Sequence, residues 1–314
     1  MPIGIRPTND FAFKKTFGSP ENKLALISLL NAILNLPSSI VDVTIENPYN
    51  MQDFHDDKLS ILDIKATDQS GAIYDIEMQL SIFKGLVQRI VYYGCEVYAD
   101  QLRAGQDYSS LKPVYSICLV DGIVWPDAKK VHHAFRLTDS ESNRTLSGTL
   151  EIHTLELGRY NRQLHELADT SLLEIWLYWL LHAHEYEPEE LLRLFPQAAI
   201  QLATQTIVRI AEITEDKTMY DAREKAIRDQ QWALNSSFRE GEIKGEIKGE
   251  IKGEIKGEIK GEIKGEIKGE IKLIQTLQEI LQESIVATSD LEGKSLEELQ
   301  AMTVDLRTRI AKRG

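Results

Sequence analysis

Residues 59–80 read LSILDIKATDQSGAIYDIEMQL, two alternating runs either side of the polar turn Asp68-Gln69-Ser70-Gly71. Alternation of apolar and polar residues with period two, broken by a turn cluster, predicts a hairpin of two strands. Ser60, Leu62, Ile64 and Ala66 share one face with Ala72, Tyr74, Ile76, Met78 and Leu80, and that face suits a core. Asp63 and Lys65 take the other face with Asp75, Glu77 and Gln79. A turn centred on Ser70 sets Lys65 opposite Asp75 and Asp63 opposite Glu77. The first pair is favourable, whereas the second brings like charges to about 5 Å and costs stability unless a positive group intervenes. A hard divalent cation such as Mg²⁺ or Mn²⁺ accepts carboxylate oxygens in that geometry; a solvated sheet face with splayed carboxylates is the plainer alternative.

The flanking segments extend this reading. Asn9 or Asp10 is a candidate helix N-cap ahead of Phe11, Phe13 and Phe17, with Asp10 also a possible additional metal ligand. Residues 21–36 have helical spacing closed by Pro37, and residues 41–46 alternate as a first strand. The polar loop at 47–58 holds an acidic cluster of Asp53, Asp56 and Asp57 with His55, read as solvated. After the hairpin, residues 85–104 repeat as a helix, in which Tyr92, Tyr93 and Tyr98 read as core while Arg89 and Gln101 can meet phosphate. The near-continuous apolar run at 114–123 suits a strand covered on both faces.

These segments, TNDFAFKKTFG at 8–18, ILDIKA, IYDIEMQ and RIVYYGCEVYADQL, resemble the Rpn family of recombination-promoting nucleases and transposases, within the PD-(D/E)XK nuclease superfamily. The likeness covers roughly residues 1–240 and is strongest in the first half. It implies an α/β fold with an αβββαβ core, which the order of elements read from the residues supports. It also implies a metal-dependent DNA endonuclease promoting recombination or element mobility, in which Asp63 and Glu77 hold the ion, Gln79 orients water and Lys65 balances charge. Gln79 stands where most of the superfamily has lysine, so no cation stabilises a developing oxyanion from that position. An alternative is an interaction or regulatory protein that keeps the fold without catalysis.

Composition constrains partners. Thirty-six basic and 49 acidic residues leave a net charge of −13, and discounting the eight Glu and eight Lys of the tail repeat does not change it. A general basic footprint for DNA is therefore missing, and positive charge must be local, at Lys14, Lys15, Lys65, Lys84, Arg89 and Arg103. No secretory leader or membrane-length apolar run is present, which points to the cytoplasm. Cys95 and Cys118 lack metal or redox spacing and read as buried, reduced hydrophobes.

Further along, residues 132–137 and 149–157 read as strands, and His132, His133 and His153 lack ligand spacing. Ser171 and Glu174 form a capping box ahead of a buried helix through 182, and helices are expected at 189–195, 198–213 and 220–238 as a layer completing a first domain, 1–240. Residues 241–272 are eight uninterrupted copies of Gly-Glu-Ile-Lys. Glycine costs helix about 0.8–1 kcal/mol per residue relative to alanine, and Glu and Lys never fall three or four apart, so this segment is either a spacer or a helix stabilised by a partner. The helical tail at 273–314 carries apolar stripes at Leu273, Leu277, Ile280 and Leu281, and at Leu296, Leu299, Met302, Leu306 and Ile310. Self-association into a homo-oligomer through the tail is the simplest way to cover them.

Overall fold

The computed structural model describes residues 1–46, 64–146 and 148–312. Contacts divide the chain into two units, Met1–Arg228 and Asp229–Gly314. In the first, helices α1 (Asp10–Phe17) and α2 (Lys23–Leu34) precede strands β1 (Val43–Ile45), β2 (Ile64–Asp68) and β3 (Ile73–Gln79). Helix α3 (Leu86–Ala99) then crosses to β4 (Val114–Val120), followed by β5 (His132–Arg136) and β6 (Leu150–Glu156). Helices α4 (Leu172–His182), α5 (Pro188–Leu194), α6 (Ala198–Glu212) and α7 (Thr214–Leu281) complete the order. This is the expected α/β fold with its αβββαβ core.

The six strands are arranged β1-β2-β3-β4-β6-β5. β1, β2 and β3 pair antiparallel, β3, β4 and β6 parallel, and β5 returns antiparallel on β6. The hairpin register sets Lys65 opposite Asp75 and Ile64 opposite Ile76, as the turn centred on Ser70 predicts. The turn itself is tied by Asp68, whose carboxylate accepts from the Ser70 and Ala72 amides at 2.8 and 3.0 Å. Gly71 supplies the positive φ of +87° that this turn requires.

Side-chain alternation sorts the two faces. Ile64, Ala66, Tyr74, Ile76, Ile117, Leu119 and Leu155 face a core closed by Phe11 and Phe17 of α1, Leu26 and Leu30 of α2, Trp176 and Trp179 of α4, and Ile200 and Ile207 of α6. The indoles keep their donors satisfied, Trp176 on Ser28 at 3.1 Å and Trp179 on Thr204 at 2.9 Å. On the opposite face, Leu86 and Ile90 of α3 pack with Cys118 and Val120. Gly94 is what brings α3 so close: a Cβ there would sit 3.1 Å from Leu150 Cδ1 and 3.3 Å from Ser116 Cβ.

Several expectations need correction. Cys95 and Tyr92 lie on the outer side of α3 and are exposed, because that helix buries only one stripe; Cys118 is buried as expected. Asn9 is the cap of α1, accepting from the Phe11 and Ala12 amides. The last helical segment of the first unit does not start at 220; α7 begins at Thr214, immediately after the break at Ile213.

The second unit contains the rest of α7, then α8 (Thr288–Leu291) and α9 (Leu296–Ala311). The Gly-Glu-Ile-Lys repeat is helical throughout. At its end Ile271, Ile274, Leu277 and Leu281 bury against Leu291, Leu299 and Leu306. The apolar stripes of the tail therefore cover one another within the chain, and Ile280 stays exposed. Ser295 and Glu298 form the expected reciprocal capping box at α9. Among the described residues no helix is long and apolar enough to cross a membrane.

Candidate active site

Strand β3 is central in the sheet and covered on both faces, so the polar residues of its outer face are drawn inside. Asp75 is 4% exposed and Glu77 6%. Parallel pairing places Asp75 beside Ser116, Glu77 beside Cys118 and Gln79 beside Val120. Two carboxylates two residues apart on one strand point the same way, and burial makes their repulsion felt. Burial first, then the Glu77 charge, pushes the Asp75 carboxyl up to about 7, while Lys65 opposes that rise.

Positive charge reaches this cluster from two directions. Arg89, on the first turn of α3, brings Nη2 to 3.4 Å from Glu77 Oε1. Its guanidinium lies 5.2 Å from the Tyr93 ring centre and 5.8 Å from that of Phe83, so the plane is held by aromatic faces. Its Nε is buried and has no hydrogen-bond partner among the described residues. From the edge, Lys65 Nζ lies 3.2 Å from Glu46 Oε2, just past the end of β1. Gln79 donates from Nε2 to the Ser81 carbonyl at 2.9 Å, which leaves its amide oxygen as an acceptor.

The predicted site residues thus divide. Glu77, Gln79, Lys65 and Arg89 lie on β3, β2 and α3 around one patch. Asp63, like the acidic cluster at Asp53, His55, Asp56 and Asp57, lies outside the described residues. Asp10 is committed elsewhere: its carboxylate takes Arg223 Nε at 2.9 Å, on the α1–α7 side of the unit. Gln101 spends both ends of its amide on Lys112, donating to its carbonyl at 3.0 Å and accepting from its N–H at 2.8 Å. Asp75 is the residue the motif reading passed over. Its signal was present in the sequence, an acid two positions before Glu77 on the same face, but its depth was not.

Two further polar groups on the sheet are structural. Glu156, fully buried, accepts from the Val124 and Trp125 amides at 2.7 and 2.6 Å and pairs with Arg159 at 2.7 Å. His132 and His153 bond each other at 2.9 Å on the core face, and burial lowers both, His153 to about 3.

Chemically, the patch offers carboxylate oxygens, one of them easily protonated, facing a guanidinium and an amide carbonyl. Hard divalent cations take carboxylate and carbonyl oxygens, and the Asp75 carboxyl is raised first by burial and then by the neighbouring Glu77 charge. No cluster of three or more His, Cys, Asp or Glu side chains able to hold a metal ion occurs among the described residues. The family model of the PD-(D/E)XK nuclease family transposases matches residues 7–237. Comparison with curated proteins and with solved structures finds no significant match.

Proposed function

Given that the chain belongs to the PD-(D/E)XK nuclease family transposases, we propose that it is a Mg²⁺- or Mn²⁺-dependent DNA endonuclease that promotes recombination or element mobility in the cytoplasm. The observation that carries this reading is the buried Asp75–Glu77 pair on β3 with Arg89 laid over it. A solvated sheet face would put those carboxylates in water. The hairpin register that pairs Lys65 with Asp75 is the same one from which Asp63 was expected opposite Glu77.

Asp63 and Glu77 hold the ion in this reading, with Asp75 joining once it has lost its proton. When bound, the ion supplies charge toward the phosphate and a water of lowered pKa. Gln79, anchored through its NH₂ on Ser81, keeps its carbonyl oxygen as an acceptor that would orient an attacking water. Arg89 exchanges Glu77 for a phosphate oxygen. Lys65 balances the carboxylates across the hairpin. With the terminal stripes covered within the chain, self-association of the tail falls to the exposed isoleucines of the repeat.

Net acidity and the glutamine in the usual lysine position favour a second reading, a regulatory protein that keeps the fold without cleavage. Plasmid nicking with and without Mg²⁺ separates the two. Wild type should nick only with the metal, and Glu77→Ala or Asp63→Ala should abolish nicking, the Asp63 variant with its metal-free melting temperature held or raised, since it removes like-charge repulsion without unpairing Arg89. Equal nicking by all three proteins rejects the site, and DNA binding without nicking by wild type favours the regulatory reading.

A further inference from the structure

In the repeat the Ile side chains form one ridge. From Ile243 to Ile263 they are 45% to 56% exposed, yet Ile271, eight residues on in the same ridge, is 4% exposed under α9. Where the terminal helices reach this ridge, then, the ridge packs. Upstream, Ile255, Ile259 and Ile263 with the stems of Lys252, Lys256 and Lys260 line an open groove.

Charge is arranged about that ridge with equal regularity. An α-helix advances about 100° per residue, so Glu lies about 100° to one side of Ile, Lys about 100° to the other, and Gly faces away. Within one chain Glu and Lys, two residues apart, project to opposite sides and cannot meet. The ion pair seen at the start of the repeat, Lys244 with Glu240 at 3.6 Å, uses a glutamate that precedes the repeat. Each helix therefore carries a strip of unmet positive charge and a strip of unmet negative charge flanking an apolar ridge.

We propose that this ridge is a self-docking surface whose partner is the same repeat of a second copy, aligned parallel to it. The proposal rests on the self-association reading of the tail and adds its surface and its direction. Two helices related by a twofold axis along their length set the Lys side of one against the Glu side of the other, on both flanks. Reversing one helix sets Lys against Lys and Glu against Glu. The ridge turns about 40° per repeat, so side-by-side contact is lost quickly, and interlocking i±4 ridges at about −50° is the fitting geometry. Such a crossing engages about three repeats of each chain, the length of the groove at Ile255–Ile263.

The direction can be tested independently of register by exchanging Glu and Lys in all eight repeats of the full chain (Glu242→Lys with Lys244→Glu, and so on). Composition, net charge and helix propensity are conserved by the exchange. Sedimentation should show wild type and the exchanged chain each self-associating with similar constants, weakening toward 1 M salt, where the screening length is about 3 Å. Mixed pairs oppose like charges when parallel and opposite charges when reversed, so energy transfer between labels at residue 240 of each chain should be high in like pairs and about tenfold lower in mixed pairs. Low transfer in like pairs with high transfer in mixed ones overturns the parallel direction but leaves self-docking standing. Equal transfer in like and mixed pairs overturns any orienting role for the charges. Full association of an Ile255→Ser/Ile259→Ser/Ile263→Ser chain moves the interface off this ridge. Monomers at every concentration overturn both the inference and the self-association reading it rests on.

Discussion

Replacing Asp75 with asparagine removes a charge that the fold holds at a cost, and that cost depends on pH. The carboxyl rises from 3.8 to about 7 on folding, because burial and Glu77 both disfavour its ionised form. A raised acid binds its proton more tightly folded than unfolded, so its favourable effect on stability is fully present below pH 3.8 and is lost as pH climbs through 7. At about 1.4 kcal/mol per unit the whole loss is about 4 kcal/mol, of which about 3 falls between pH 5 and pH 8. Asparagine keeps the shape and carries no proton to lose. Denaturant titration of metal-free protein should therefore show Asp75→Asn gaining about 3 kcal/mol over wild type on going from pH 5 to pH 8. A difference between the two proteins that is flat across this range would refute the reasoning, since the carboxylate would then be solvated or paired at no cost. Added Mg²⁺ should narrow the gap at pH 8 by favouring the charged form of the wild type.

Gln79→Lys should raise the Mg²⁺-dependent nicking rate by restoring a cation at the strand position, and Gln79→Leu should lower it; unchanged rates in both would place this side chain outside the reaction. Gly94→Leu should destabilise the first unit by about 2–3 kcal/mol in chemical denaturation, because even a Cβ meets Leu150 at 3.1 Å and the helix over Glu77 would have to lift. Gly249→Ala with Gly257→Ala should strengthen the repeat helix by about 1 kcal/mol per site, read by circular dichroism of thermal unfolding, since a Cβ at either glycine meets nothing within 4 Å. Glu156→Ala should cost about 3–5 kcal/mol, as it strands the buried side of Arg159 and the loop amides of Val124 and Trp125.

Local patterning determined a good deal of this protein on its own. Period-two alternation about Asp68–Gly71 specified the hairpin, its register and the residues of each face, because a strand has no other way to separate apolar from polar side chains. Helical spacing and caps located α2, α3, α4 and α9 to within a few residues. The lack of Glu–Lys pairs at three or four residues within the repeat was likewise legible, since it is a matter of counting along the chain. Tertiary structure decided what alternation cannot encode, namely how deep a face lies and who its neighbours are. α3 settling over β4 and β6 through Gly94 turned an apparently solvated strand face into a buried carboxylate pair, which raised Asp75 and aimed Arg89 at Glu77. Arg223, more than two hundred residues away in sequence, claimed Asp10, and Lys112 claimed Gln101. The terminal stripes found their cover in each other while the ridge from Ile243 to Ile263 did not. Each of these outcomes depends on contacts between segments distant in sequence, and burial and electrostatics are properties of the assembled neighbourhood rather than of any one stretch.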